Sequence, residues 1–194
     1  MSQFSPPTRI TFICHPATSQ QKAGIFPSDE SLDPKSLEVL SAIPWRAPKR
    51  TVNLAAPERR TRQTAEALKL NATDAPELGE CNFGLWSGTS LEELQTKNPA
   101  GLSEWLTDIA AAPHQGESFC NLMTRIGRWL ETQHGVGHII AVTHVSVVRA
   151  AIVHVLHAPP HEAFRRIEIA PLTMTEIRRS RDHWQLLSVG VPLA

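Results

Sequence analysis

The sequence predicts an α/β fold: a three-layer α/β/α arrangement around a mainly parallel central sheet, with a small helical cap. Three observations carry the prediction. Ile10-Thr11-Phe12-Ile13 and Ile139-Ile140-Ala141-Val142 are uncharged, mostly β-branched runs, the pattern of strands buried on both faces. Between and after them, apolar residues recur at helical spacing, so strands alternate with helices. Three further strand-like runs, Arg165 to Ala170, Thr173 to Arg178 and His183 to Val189, end the chain with hairpin-like spacing and add antiparallel edges.

The first strand stops at Cys14-His15-Pro16. Proline disfavours the α region for the residue before it, so His15 is expected in an extended segment entering a loop. That is where open α/β sheets place reactive groups, at the carboxyl ends of strands. A long polar loop, roughly 16–32, follows. Asp33-Pro34 then opens a helix, with Asp33 as N-cap and Pro34 in the first helical position.

Thr51 to Ala55 reads as the second strand and 58–70 as a helix that starts with Arg59, Arg60 and Arg62. Basic residues at a helix start oppose the macrodipole, a local inconsistency of the kind that marks function. The stretch 77–88, rich in Gly and aromatics, is expected as a loop with extended ends. Ser90-Leu91-Glu92-Glu93 has capping-box spacing and starts a short helix ending by Asn98-Pro99. A second helix is expected over 102–110, and residues 89–115 as a whole form a candidate cap insertion in a single domain spanning 1–194. An amphipathic helix is expected from Phe119 to Gln133. The strand 137–143 ends on His144, and a helix from Val145 to about His157 is stopped by Pro159-Pro160.

Composition narrows the function classes. With 19 basic and 19 acidic residues the 194-residue chain has no net charge, so no global field favours nucleic acid or an anionic membrane. No apolar run approaches the length of a membrane span, and the stretch from Met1 to Pro7 lacks the pattern of a secretory leader. The three cysteines Cys14, Cys81 and Cys120 cannot all pair and have no metal-like spacing, so a reducing cytoplasm is expected. His154, His157 and His161 have helix-like spacings, but Pro159-Pro160 interrupts the helix, and they read as incidental surface residues. Trp86, Trp105 and Trp129 read as core or pocket lining before an interaction surface.

Taken singly, His15 and His144 are ordinary strand-end histidines and the arginines a solvated helix face. Together the segments resemble the histidine phosphatase, or phosphoglycerate-mutase-like, superfamily. Cys14-His15-Pro16-Ala17-Thr18 stands where that family has Arg-His-Gly-x-Thr. Ala56-Pro57-Glu58-Arg59-Arg60-Thr61-Arg62-Gln63-Thr64-Ala65 stands where it commonly has Ser-Pro-Leu-x-Arg-Ala-x-Gln-Thr-Ala. Glu80-Cys81-Asn82-Phe83-Gly84-Leu85-Trp86-Ser87-Gly88 is similar to its Glu-x-x-Phe-Gly-x-Trp-Glu-Gly segment, and Gly116-Glu117-Ser118 and Val142-Thr143-His144 match two further pieces. The blocks occur in the family's order from Ile10 to about Ala150, and the short chain looks most like the α-ribazole-phosphatase and broad-specificity branch.

The resemblance implies His15 as the nucleophile, Glu80 as proton donor and acceptor, and His144 as a donor to the transferring group. It implies phosphate binding by Arg60, Thr18 and Gln21, the last standing where the family has asparagine. It implies no metal and no cofactor, and a small phosphorylated substrate as the partner. Cys14 is the main departure, because an arginine is missing from the phosphate site. A hydrogen bond to a charged group contributes roughly 1.5–3 kcal/mol, or one to two powers of ten at about 1.4 kcal/mol per decade. Impaired or altered phosphate binding is therefore expected. Arg59 or Arg62 could substitute only from other faces of the helix. Cys14 is not expected to be a nucleophile itself, since the Cys-x5-Arg pattern of cysteine phosphatases has Gln20 at the arginine's place. The alternative is a pseudo-phosphatase that binds a phosphorylated ligand or a protein partner without turnover. Substrate and oligomeric state are left open.

Overall fold

A computed structural model describes residues 7–180 and 183–193. Most of the leader reading, residues 1–6, lies outside them. Six strands, β1 (Thr8–Cys14), β2 (Thr51–Ala55), β3 (Thr73–Asp74), β4 (His138–Thr143), β5 (Thr173–Ser180) and β6 (His183–Pro192), form one sheet in the order β3-β2-β4-β1-β5-β6. The pairs β3·β2, β2·β4 and β4·β1 are parallel, and β5 and β6 add antiparallel to the other side of β1. The two histidine-terminated strands are therefore neighbours, and Cys14 pairs with Thr143 at their carboxyl ends.

Strand alternation sorts the core into two layers. Ile10, Phe12 and Cys14 of β1, with Ile139 and Ala141 of β4, pack on one face against α6 (Phe119–Thr132) and α7 (Val145–Val155). Ile13, Ile140 and Val142 pack on the other, against Leu40 of α2 (Pro34–Ala42), Ala65 of α3 (Arg59–Ala67) and Leu68 just past its end. Burying each of the larger side chains contributes roughly 1.5–3 kcal/mol, which holds β1 and β4 rigidly at the centre. Three-layer α/β/α with a mainly parallel sheet is the observed architecture.

Most elements fall where the sequence places them. Asp33 caps α2 by accepting from the Ser36 backbone N–H at 2.8 Å, and Ser90 caps α4 (Leu91–Lys97) through Glu93. The helix expected over 102–110 is α5 (Pro99–Thr107), shifted because Asn98 caps it and Pro99 opens it.

Three readings are corrected. The loop after β1 contains α1 (Ser19–Lys22), a single turn held by a Thr18–Gln21 capping box and too short to show a period. The stretch 77–88 holds 3₁₀ turns at Pro76–Leu78 and Gly84–Trp86 instead of extended ends. The run Arg165 to Ala170 is not a strand: it follows α8 (Pro160–Ala163), and its Ile167 carbonyl accepts from Arg149 Nε at 2.6 Å instead of joining a ladder.

The tryptophans serve as packing. Trp86 and Trp129 are buried, and Trp105 joins Phe26, Phe83 and Trp86 in an edge-to-face cluster under α4 and α5. All three cysteines are free. No helix among the described residues is long and apolar enough to cross a membrane.

Candidate active site

His15 follows the last residue of β1, and its backbone N–H donates to the Thr143 carbonyl of β4 at 3.2 Å. The ring is 4% exposed. Its Nδ1 lies 2.7 Å from the Pro16 carbonyl, which can only accept, so Nδ1 carries the hydrogen and Nε2 the lone pair. Burial, then the neighbouring His144 and Arg60, hold the His15 pKa well below 6.5, against the weaker opposing pull of the Pro16 carbonyl. The result is a neutral imidazole with one free nitrogen.

Arg60 meets that nitrogen. Its Nε donates to His15 Nε2 at 3.3 Å, and its Nη1 donates to the Ser28 carbonyl at 2.7 Å and lies 3.3 Å from Glu30 Oε2. Arg60 is completely buried, and its Nη2 stands 3.6 Å from Glu80 Oε2 with no hydrogen-bond partner. The unfavourable basic helix start now has a cause. Glu58 occupies the N-cap of α3 but does not cap it, and the Asp29 carboxylate accepts from the Arg59 N–H instead, at 2.8 Å. Arg59 and Arg62 are exposed, and neither replaces the missing signature arginine.

The Glu58 carboxylate turns inward. Its Oε2 accepts from His144 Nε2 at 2.7 Å and its Oε1 accepts from the Glu80 backbone N–H at 2.9 Å. Burial raises the Glu58 pKa, but the hydrogen bonds and proximity of His144, with the backbone N–H of Glu80, outweigh it and bring it to about 2. An ionised carboxylate only accepts, so His144 Nε2 carries a hydrogen. The other nitrogen, Nδ1, is buried, makes no hydrogen bond, and lies 3.4 Å from Glu80 Oε2. The two imidazoles are edge to face, with centroids 5.0 Å apart.

Glu80 closes the group. Its Oε1 accepts from the Cys81 N–H at 3.0 Å and from the Ser146 hydroxyl in the first turn of α7. Its loop is stapled from α6: Arg125 bonds both oxygens of Glu117, at 2.9 and 2.7 Å, and donates to the Glu77 and Gly79 carbonyls. That gives the Gly116-Glu117-Ser118 block a structural role, because Ser118 caps α6 while Glu117 holds the arginine that fixes the loop.

The fold thus brings His15, Arg60, Glu80 and His144 together. Thr18 and Gln21 are placed differently. The Thr18 hydroxyl donates to Glu30 Oε1 at 2.9 Å and accepts from the Gln21 N–H, while the Gln21 side chain caps the Thr18 N–H. Cys14 is 1% exposed, and burial is the main cause of a thiol pKa pushed up to about 12. Glu58, Glu30 and Ser146 were not expected at the site. His154 pairs with Glu131 at 2.9 Å on the far face of α7.

One cavity opens on the cluster and a second neighbours the first. The first, of about 350 Å³, is lined by Glu58, Arg60 and Glu80, and the larger second, of about 620 Å³, by Phe26, Phe83, Trp105, Leu106, Arg149 and Gln21, among others. Pro27 and Phe83 line both.

The family model described as "Histidine phosphatase superfamily (branch 1)" matches residues 10–192. The bifunctional protein Rv2228c of Mycobacterium tuberculosis is 28% identical over 117 residues, covering 58% of this chain and 32% of that protein. The chain thus spans about a third of the length of the curated relatives it matches. Among solved structures, the α-ribazole phosphatase of Shigella flexneri superposes with a TM-score of 0.80 at 20% identity, covering 94% of this chain and 96% of that one. The mycobacterial glucosyl-3-phosphoglycerate phosphatase Rv2419c superposes with a TM-score of 0.76 at 18% identity, covering 96% and 100%. These likenesses show the fold.

Proposed function

The chain belongs to branch 1 of the histidine phosphatase superfamily, and from that premise we propose that it hydrolyses a small phosphomonoester through a phosphohistidine on His15, with phosphate binding altered by Cys14. One observation carries the reading: a buried, neutral His15 whose Nδ1–H is fixed on a carbonyl and whose Nε2 lone pair faces Arg60.

In the first half-reaction His15 Nε2 attacks phosphorus, the bond from phosphorus to the leaving oxygen breaks, and Glu80 gives that oxygen a proton. In the second, Glu80 takes a proton from water as the water oxygen attacks the phosphoryl group and His15 leaves. Arg60 Nη2 and His144 Nδ1, both buried without hydrogen-bond partners, are the groups available to the phosphoryl oxygens. Phosphoryl transfer rests mainly on such positioning and charge stabilisation. The larger cavity, with residues 89–115 forming its cap, takes the leaving group, and its aromatic wall favours an apolar one.

Cys14 favours a second reading, a pocket that binds a phosphorylated ligand without turnover. An aryl phosphate assay on wild type, His15→Ala and Cys14→Arg separates the two. Activity in wild type clearly above His15→Ala supports catalysis. Wild type equal to His15→Ala, with activity gained in Cys14→Arg, means catalysis is not the native role.

A further inference from the structure

The residues assigned to phosphoryl transfer also have the arrangement of a metal site. His15, His144 and Glu80 each offer one ligand atom, and the three atoms lie within 4.8 Å of one another. The histidine atoms are His15 Nε2 and His144 Nδ1, because the other ring nitrogen of each is held by an oxygen acceptor, the Pro16 carbonyl and the Glu58 carboxylate. That outer contact is what orients imidazoles around zinc and raises their basicity. His144 Nδ1 is buried, has no hydrogen-bond partner, and sits 3.4 Å from Glu80 Oε2. Zinc bonds of 2.0–2.1 Å in a tetrahedron put neighbouring ligands roughly 3.4 Å apart.

Charge points the same way. Glu30 and Glu80 flank one guanidinium, Arg60, which lies 3.3 Å from Glu30, 3.6 Å from Glu80 and 3.3 Å from His15 Nε2, and a third carboxylate, Glu58, lies 2.7 Å from His144 Nε2. The second arginine that would repel a cation is replaced by the buried, uncharged thiol of Cys14.

We propose that the chain binds one Zn²⁺ through His15 Nε2, His144 Nδ1 and a Glu80 oxygen, and that the ion switches the proposed phosphatase off. Two histidines and one carboxylate form a known zinc donor set with an open fourth position. Binding displaces the long Arg60 contact from His15 Nε2 and occupies the lone pair that attacks phosphorus. Substrate and zinc are then mutually exclusive, and chelation restores activity. The inhibitory consequence rests on the catalytic reading above; the metal site does not.

The experiment is calorimetric titration of ZnCl₂ into the chelator-stripped full chain, run alongside an aryl phosphate assay in EDTA and in added zinc. One equivalent of zinc is expected to bind, with affinity at least tenfold weaker in Glu80→Gln and His144→Asn. Glu58→Gln leaves His144 only a neutral outer acceptor and should weaken binding about tenfold or more. Cys14→Arg should weaken it as well. Near-UV circular dichroism checks that each variant is folded, and inhibition of wild type reversed by EDTA needs no variant. Absence of zinc binding to wild type, or binding undiminished in Glu80→Gln and His144→Asn, overturns the site. Zinc bound by a protein with no phosphatase activity in EDTA overturns the catalytic reading and leaves the site standing. Full activity with zinc bound overturns the switch.

Discussion

Glu58 Oε2 accepts a 2.7 Å hydrogen bond from His144 Nε2, and the same carboxylate accepts from the Glu80 backbone N–H at 2.9 Å. One side chain therefore orients two of the groups assigned to catalysis. Glu58→Gln keeps the shape but loses a charged acceptor. A hydrogen bond to a charged group contributes roughly 1.5–3 kcal/mol, so kcat on an aryl phosphate should fall about ten- to a hundredfold, with a smaller change in KM. An unchanged kcat would show that Glu58 only fills space.

Arg125 fixes the Glu80 loop through the Glu77 and Gly79 carbonyls while itself held by Glu117. Arg125→Ala should release the loop without touching substrate. Steady-state kinetics should show kcat lowered about tenfold or more, since roughly 1.5 kcal/mol or more of charged hydrogen bonding is lost. Arg125→Lys, which cannot reproduce the bidentate grip on Glu117, should recover only part of it. Full activity in Arg125→Ala would mean the loop is held by its own turns.

Burial raises the thiol pKa of Cys14 to about 12 and also pushes up that of Cys81. Cys120 is half-buried. An aromatic disulfide reagent at neutral pH should therefore label Cys120 first, with Cys14 and Cys81 reacting only on unfolding. Peptide mapping of the labelled native chain checks this, and rapid labelling of Cys14 would show an accessible, reactive thiol.

His15, His114 and His138 all have pKa values lowered by burial. Their unfolded values lie near 6.5, so at mildly acid pH the unfolded chain binds protons that the native chain refuses. Stability is then full above the unfolded value and falls as pH drops below it, by up to about 1.4 kcal/mol per pH unit for the buried His15. Melts between about pH 7.5 and pH 5 should show Tm decreasing with acid, and His15→Gln should flatten the slope. A Tm independent of pH over that range would contradict the buried, neutral imidazole.

Much of this was legible in the sequence. Uncharged β-branched runs identified β1 and β4, and each ended on the histidine that the sheet then brought together. Asp33 and Ser90 marked their helices by local chemistry, whereas the Arg-rich start of α3 opposed its own helix and marked the site instead. What escaped was tertiary. Glu58 read as part of a helix, because nothing local says that an N-cap carboxylate will turn away from its own helix to His144. Glu30 sat unmarked in a long loop until Arg60 gave it a partner. Ile167 and Ile169 alternate like a strand, but Arg149 takes the carbonyl that pairing would have used.

The central claim is the phosphorylated nitrogen. Rapid quenching of the chelator-stripped chain with an excess of aryl phosphate, followed by peptide mapping under alkaline conditions, should find one acid-labile phosphoryl group on His15. It should be absent in His15→Ala and, with a nitrophenyl phosphate whose leaving group departs without a proton from Glu80, should accumulate in Glu80→Gln, where water is no longer activated for the second step. A chain that turns over substrate with no phosphoryl group on His15 would contradict the mechanism. A chain that neither turns over nor acquires the group would establish a binding protein in its place.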